Sequence, residues 1–187
     1  SPWFLPSSNS IWVQVSTDVG FEGKKGVSSD KDRMLSYRDE RYFEFYKDRQ
    51  FQLPQRCLYN HDPVYGNEAK VNMSDEEFRD YLFTMAMRGT AFWELYYSYN
   101  MMNEAKWRIN YACMRFLEDN IDVLSNSVIF GGRPSESKVY GYSCFADYEG
   151  IVSLRDSGNT QQSYTLKLDE LTGVPKSFTF GELYMQT

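Results

Sequence analysis

Residues 74–97 read SDEEFRDYLFTMAMRGTAFWELYY, and this stretch decides the fold prediction. Ser74 and Glu77 have the spacing of a capping box, in which each side chain accepts a hydrogen bond from the other residue's backbone N–H at the start of a helix. Apolar side chains then recur at helical spacing, at Phe78, Tyr81, Leu82 and Met85. Gly89 ends the helix, and the apolar run 91–97 predicts a strand with a glutamate inside it.

The same alternation of strand, polar loop and helix recurs on both sides of this stretch. Runs 10–16 and 55–59 predict short buried strands that end in polar residues. Runs 37–50 and 103–119 predict helices with one apolar face. Such alternation is typical of parallel strands covered by helices. Three βα units fill only part of a (β/α)8 barrel, whose chemistry lies at the C-terminal ends of its strands.

The pattern changes after about residue 126. Short, partly alternating runs follow one another between glycine and polar turns, at 127–130, 138–145, 150–155, 162–168 and 177–184. Short strands at such regular spacing predict an antiparallel β-sandwich over residues 127–187. We expect this domain to pack on the helix predicted at 103–119. The expected fold class is therefore α/β followed by all-β.

The amino-acid composition of the chain limits the kinds of partner that it is expected to bind. Aromatic residues make up 17% of the chain and the net charge is −6. Tyrosine and tryptophan suit sugar binding because each joins a flat apolar face to a polar tip, although core filling explains aromatic residues equally well. The acidic balance argues against a nucleic-acid surface. No apolar stretch has the length of a membrane span.

Cysteine and histidine usage gives no sign of a metal or a cofactor. Cys57, Cys113 and Cys144 are far apart and match neither a disulfide framework nor a metal-ligand spacing. His61 is the only histidine, which excludes a multi-histidine site. The chain begins at Ser1 without a methionine or a signal peptide, so we expect it to be part of something longer. Unpaired barrel strands would then require self-association or the missing N-terminal barrel segment.

Three segments carry a resemblance to a known family. Residues 10–20, SIWVQVSTDVG, resemble the sixth-strand segment of the α-galactosidase (melibiase-like) superfamily of retaining glycoside hydrolases, where a Trp-containing strand ends in an acid/base aspartate. Residues 57–66, CLYNHDPVYG, look like the following strand, whose end lines the sugar pocket. Residues 88–97, RGTAFWELYY, stand where the eighth strand should be. Secreted bacterial enzymes of the endo-α-N-acetylgalactosaminidase kind are similar as well.

The resemblance implies a fold, a function and a location. Residues 1–126 would be the last three βα units of a (β/α)8 barrel, and 127–187 the small β-sandwich that follows. The chain would be a fragment of a retaining glycoside hydrolase acting on α-linked galactose-type sugars, secreted or periplasmic. The family's nucleophilic aspartate lies upstream of Ser1, so the fragment alone would be inactive. The alternative is a non-catalytic carbohydrate-binding or scaffold protein.

The polar candidates each have two interpretations. Asp18 would be the general acid, although a turn or helix-cap aspartate needs no catalysis. His61 and Asp62 would bind sugar hydroxyls, or they would brace their loop. Glu94 would face the sugar pocket, or it would pair with a buried arginine such as Arg88.

The aromatic candidates are Trp12, Tyr65 and Trp93, which would stack on the sugar. Trp107 is expected in the core instead. The charged run 37–41 is most simply a solvated helix face.

Overall fold

The computed structural model describes residues 7–12, 19–23, 26–67, 70–147, 149–158, 160–169 and 172–176. The helices in this part are α1 (Asp30–Phe43), α2 (Asp75–Ala86), α3 (Glu104–Asp119) and α4 (Ile121–Leu124). The strands are β1 (Ile11–Trp12), β2 (Leu58–Tyr59), β3 (Val64–Tyr65), β4 (Tyr96–Tyr97), β5 (Val128–Gly131), β6 (Tyr140–Phe145) and β7 (Gly150–Arg155).

Helix α2 is the predicted capping-box helix. The Ser74 hydroxyl accepts from the Glu77 backbone N–H, and the Glu77 carboxylate accepts from the Ser74 N–H. Its apolar stripe is buried against α3 and β3, and Gly89 follows the helix with a positive φ of 60°. A Cβ at Gly89 would lie 2.0 Å from the Leu124 carbonyl oxygen, so both the conformation and the packing require glycine. This part of the sequence prediction is confirmed.

Helix α1 lies earlier in the chain than the predicted run 37–50. Ser29 caps its N-terminus by accepting from the Asp32 backbone N–H, and the helix passes into a π-helical turn at Glu44–Asp48. The first turn of this helix is rich in charged residues. Its composition resembles that of a loop, so the apolar pattern does not predict a helix there. Helix α3 agrees with its prediction, and Asn103 caps it through the Lys106 N–H.

The prediction of three βα units of a (β/α)8 barrel is wrong. A barrel needs strands that pair with a neighbour on each side around a closed ring. In the described residues β1 pairs only with β2, and β3 only with β4, in parallel ladders of two residues each. A 3-10 turn occupies Gln55–Cys57, and a positive φ at Leu95 kinks the run 91–97. Residues 13–16 of the first predicted strand lie outside the described residues.

The predicted β-sandwich is also wrong. Strands β5, β6 and β7 form a single antiparallel sheet, in that order. Residues 162–168 form no strand, and most of them are exposed, so this run is not buried against a second sheet among the described residues. The run 177–184 lies outside the described residues.

The core has two parts. The first lies between α2, α3 and the β3 region, and it includes Phe78, Tyr81 and Leu82. The second lies where the three-stranded sheet packs on α1 and α4. It contains Tyr42, Leu58, Met87, Val123, Leu124, Ile129, Tyr140, Tyr142 and Cys144. Helix α3 reaches this second core only through Phe116 and Leu117 near its end. The sheet therefore packs chiefly on α1 and α4, where α3 was expected.

Candidate functional site

Two chain segments run side by side and build the site. The backbone N–H of Glu94 donates to the Asp62 carbonyl at 3.0 Å, and that of Tyr96 donates to the Pro63 carbonyl at 2.9 Å. Tyr59 pairs with Phe92, and Val64 pairs with Tyr96, so the first segment carries one residue more between paired positions. An extra residue in one of two paired segments is a bulge, and a bulge re-aims the side chains beside it.

His61 and Glu94 meet across this irregular pairing. The His61 Nδ1 forms a hydrogen bond with Glu94 Oε2, and both side chains are partly buried but reach the surface. An ionised carboxylate only accepts hydrogen bonds, so the proton of this bond belongs on Nδ1. The bond therefore fixes the relative orientation of two polar side chains that reach the surface.

Exposed aromatic rings flank the pair. The Trp12 ring lies 4.9 Å from the His61 ring in an edge-to-face arrangement. The Tyr96 ring lies 5.4 Å from the His61 ring, also edge to face. Trp12 is 42% exposed and Tyr96 is 48% exposed, which is high for rings of this size. We call Trp12, His61, Glu94 and Tyr96 the surface cluster. Apolar faces beside a few fixed polar groups are the usual composition of a small-molecule site.

A network of buried charges lies beneath the surface cluster. Asp62 Oδ2 pairs with Arg38 Nε at 3.2 Å and with Arg88 Nη1 at 3.1 Å. Arg88 Nε donates in turn to Asp39 Oδ1 at 2.7 Å. We call Arg38, Asp39, Asp62 and Arg88 the buried charge network.

Burial and neighbouring charges set the pKa values in this network. Burial raises the pKa of the Asp62 carboxyl, and the guanidinium groups of Arg38 and Arg88 oppose that rise only in part. Burial alone would lower the pKa of Arg88, but the carboxylates of Asp39 and Asp62 hold it well above its usual value. The arginine is therefore charged at all physiological pH values.

The sheet completes the network through two tyrosines. The hydroxyls of Tyr140 and Tyr142 each donate to an oxygen of Asp39 at 2.6 Å. Burial, followed by the nearby Asp39 carboxylate, raises the pKa of both phenols, so they remain protonated donors. Asp39 is thus surrounded by donors from α2's C-terminal end and from β6.

Two cavities among the described residues are lined by no residue of the surface cluster. One borders Asp62, Arg38 and Arg88 and has a volume of about 10 Å³, which holds about one water molecule and excludes a sugar. The other is a groove of about 580 Å³ between Phe51, Arg56 and Phe145. It contains none of the site residues predicted from the sequence, so the open surface cluster is the stronger candidate.

The predicted site residues separate into distinct groups in the structure. Trp12, His61 and Glu94 come together in the surface cluster. Asp62 belongs to the buried charge network instead, where its carboxylate is held by two arginines. Asp18 lies outside the described residues.

The other two aromatic candidates lie in the core. Tyr65 is 1% exposed and packs on Phe78, so it offers no open ring face. Trp93 is partly buried against the core between α2 and α3. Trp107, expected in the core, is 41% exposed on α3.

Two features escaped the sequence prediction. Tyr96 stands two residues after Glu94, but the positive φ at Leu95 between them breaks the strand alternation that would have placed both on one face. The partner of Glu94 is His61 and not Arg88, since Arg88 is occupied by Asp39 and Asp62. No local sequence pattern predicts the pairing of His61 with Glu94, which are 33 residues apart.

Comparison with protein-family models, with curated proteins and with solved structures finds no match to this chain. Among the described residues, no helix has the length and apolar character that crossing a bilayer requires. The same residues contain no group of three or more His, Cys, Asp or Glu side chains arranged to hold a metal ion.

Proposed function

We propose that this chain is part of a retaining glycoside hydrolase for α-linked galactose-type sugars, and that the surface cluster binds the sugar. The observation that supports this is the pair of open aromatic faces beside the His61–Glu94 hydrogen bond. Trp12 and Tyr96 would stack on the apolar face of a pyranose. Glu94 would accept hydrogen bonds from vicinal hydroxyls, which a carboxylate does strongly.

The catalytic part of the proposal rests on the family resemblance. Retaining enzymes need a nucleophile and an acid/base carboxylate about 5 Å apart. Asp18 would supply the acid/base, and the family's nucleophile would come from sequence upstream of Ser1. We therefore expect this chain alone to bind sugar without hydrolysing it. The secreted or periplasmic location belongs to the same proposal.

A second function, non-catalytic carbohydrate binding, is favoured by one observation. Of the carboxylates in the described site, Glu94 is bonded to His61 and Asp62 is held by two arginines. Neither is a free nucleophile in this arrangement. A binding protein needs only the aromatic faces and the hydrogen-bonding pair.

Two tryptophans with almost equal exposure provide a matched test of sugar binding. Trp12 is 42% exposed in the surface cluster, and Trp107 is 41% exposed on α3, where its ring packs on Tyr97 and not on a ring of the cluster. Loss of a stacking ring costs about 1–2 kcal/mol, so Trp12→Ala should weaken binding of galactose-type oligosaccharides about tenfold or more. Trp107→Ala should leave the dissociation constant unchanged. Calorimetric titration of both variants measures this directly.

Two results would contradict the proposal: equal affinities in the two variants, or no binding of galactose or N-acetylgalactosamine oligosaccharides by the unsubstituted chain. The two functions separate in the full-length gene product. Hydrolysis of α-galactosides that Asp18→Asn abolishes would identify the hydrolase, whereas binding without turnover would identify the binding protein.

A further inference from the structure

Asp62 links the buried charge network to the surface cluster. Its carboxylate is held by Arg38 and Arg88 at 3.2 and 3.1 Å. Its backbone carbonyl accepts the Glu94 N–H at 3.0 Å, and its chain neighbour is His61. The side chain of Asp62 is thus held by two buried arginines. Its backbone in turn holds Glu94 through a hydrogen bond and His61 as its chain neighbour.

The arginines are themselves anchored on several sides. Arg88 is fully buried, donates from Nε to Asp39, and its own carbonyl accepts from Gln55 Nε2 at 2.6 Å. Its guanidinium group lies over the Tyr42 ring, 5.6 Å from the ring centre. Arg38 is held within α1. Side chains restrained by several contacts of this kind form a support for the residues that they hold.

A second connection runs from the network to the same loop. The Asn60 side chain donates to the Tyr42 hydroxyl at 2.8 Å, and the Asn60 carbonyl accepts from the Asp62 N–H at 2.8 Å. Asn60 is buried, so this bond is shielded from water. The short segment that bears His61 is therefore attached to the support on each side of His61.

We propose that Arg38 and Arg88 are positioning residues for the sugar site: acting through Asp62, they hold His61 and Glu94 in their hydrogen-bonded pair. That the arginines hold this pair is inferred from the contacts alone. Only the expected effect on sugar affinity rests on the proposed function. Without the arginines, a buried carboxylate would have no charge partner, and the loop would move to hydrate it. The pairing between Glu94 and Asp62 would then be disturbed.

His61 is the only histidine in the chain, which makes its ring a clean spectroscopic probe. Nitrogen-15 NMR distinguishes the two neutral tautomers, and the bond to Glu94 requires the proton on Nδ1. In the unsubstituted protein we expect the neutral ring to carry its proton on Nδ1. Asp62→Asn keeps the side-chain volume but removes the charge that the arginines hold, and should lose this preference.

Sugar affinity gives the second readout. Weakening one charge-assisted hydrogen bond in the site should raise the dissociation constant for galactose-type oligosaccharides about tenfold in Asp62→Asn. Asp75→Asn is the matched control, because Asp75 also pairs with a largely buried cation, Lys106 at 2.6 Å, at the opposite end of α2. That control should change neither the His61 spectrum nor the affinity.

Arg38 tests the proposal without touching Asp62. Arg38→Met should lose the Nδ1–H preference, and Arg38→Lys should restore part of it because the charge returns. A His61 spectrum like that of the unsubstituted protein in both Asp62→Asn and Arg38→Met overturns the positioning role. If Asp62→Asn does not fold, the Arg38 pair decides the question by the same criterion.

The two proposals fail separately. Absence of sugar binding by the unsubstituted chain removes the proposed function but leaves the His61 spectra to decide the positioning role. Sugar binding with His61 spectra that no variant alters supports the function and removes the positioning role.

Discussion

Helices α1 and α3 are both charged and amphipathic, yet they place their charges in opposite surroundings. More than half of the residues of α1 are charged, and it nevertheless buries Arg38, Asp39 and Glu40. Helix α3 has a smaller charged fraction, and most of its charged side chains lie in solvent as pairs along one face. The density of charge in a helix sequence therefore does not indicate its exposure.

The difference arises from what each helix meets. Helix α1 faces Arg88 from the end of α2 and the tyrosine hydroxyls of β6, which supply partners for Asp39. Helix α3 meets α2 through apolar side chains and through one largely buried lysine, Lys106, which pairs with Asp75 of α2. Buried charges persist where the rest of the fold supplies partners, and exposed ones need none. Three substitutions test this comparison.

The largest effect is expected at Asp39. Asp39→Asn leaves Arg88 and two tyrosine hydroxyls facing a neutral amide in the interior. Breaking a buried ion pair at one partner costs about 3–5 kcal/mol of the free energy of unfolding. Chemical denaturation measures it, with Asp119→Asn on α3 as the same chemical change at an exposed pair. A loss below that of the control would show that the buried charge network does not stabilise the fold.

A smaller effect is expected at Tyr142. Tyr142→Phe removes the hydroxyl that donates to Asp39 Oδ1 at 2.6 Å, while Arg88 still donates to the same oxygen. One hydrogen bond to a charged group contributes about 1–3 kcal/mol, and the remaining donor places this change at about 1–2 kcal/mol. Tyr111→Phe on the exposed face of α3 is the control and should be neutral. Equal stability of the two variants would contradict the arrangement around Asp39.

The smallest effect is expected at Arg115 on α3. This side chain pairs with Glu118 at 2.6 Å and with Asp119 at 2.8 Å, and all three groups are exposed. Exposed helix pairs contribute about 0.5 kcal/mol or less, so Arg115→Ala should change stability within that limit. The difference should vanish at high salt, where the pairs are screened. A loss comparable to that of Asp39→Asn would remove the contrast between the two helices.

Local signals in the sequence predicted some elements correctly. The capping box of α2, its apolar stripe and the glycine after it all depend on residues within one or two turns of each other. The prediction of α3 succeeded for the same reason. The sequence also indicated that Glu94, a polar residue inside an apolar run, needs a partner, and the structure supplies His61.

Non-local pairing decided the rest. The barrel prediction is wrong because the strands are shorter than the apolar runs that predict them. A 3-10 turn at Gln55–Cys57 and a positive φ at Leu95 interrupt two of these runs, and both depend on how distant segments meet. The β-sandwich prediction is wrong because alternation over 162–168 predicts a buried face, whereas these residues form no strand and most of them are exposed. Periodicity in a sequence shows which side chains share one face of an element, but not which part of the fold packs against that face.

The sequence by itself determined the capping box and apolar stripe of α2, the extent of α3 and the abundance of aromatic residues. The tertiary structure alone decided that Glu94 pairs with His61 and that Arg38, Asp39 and Arg88 lie buried together. The physical reason is that a hydrogen bond or an ion pair depends on distance in space. A capping box closes within three residues, whereas Arg88 and Asp39 are 49 residues apart and meet only in the folded chain.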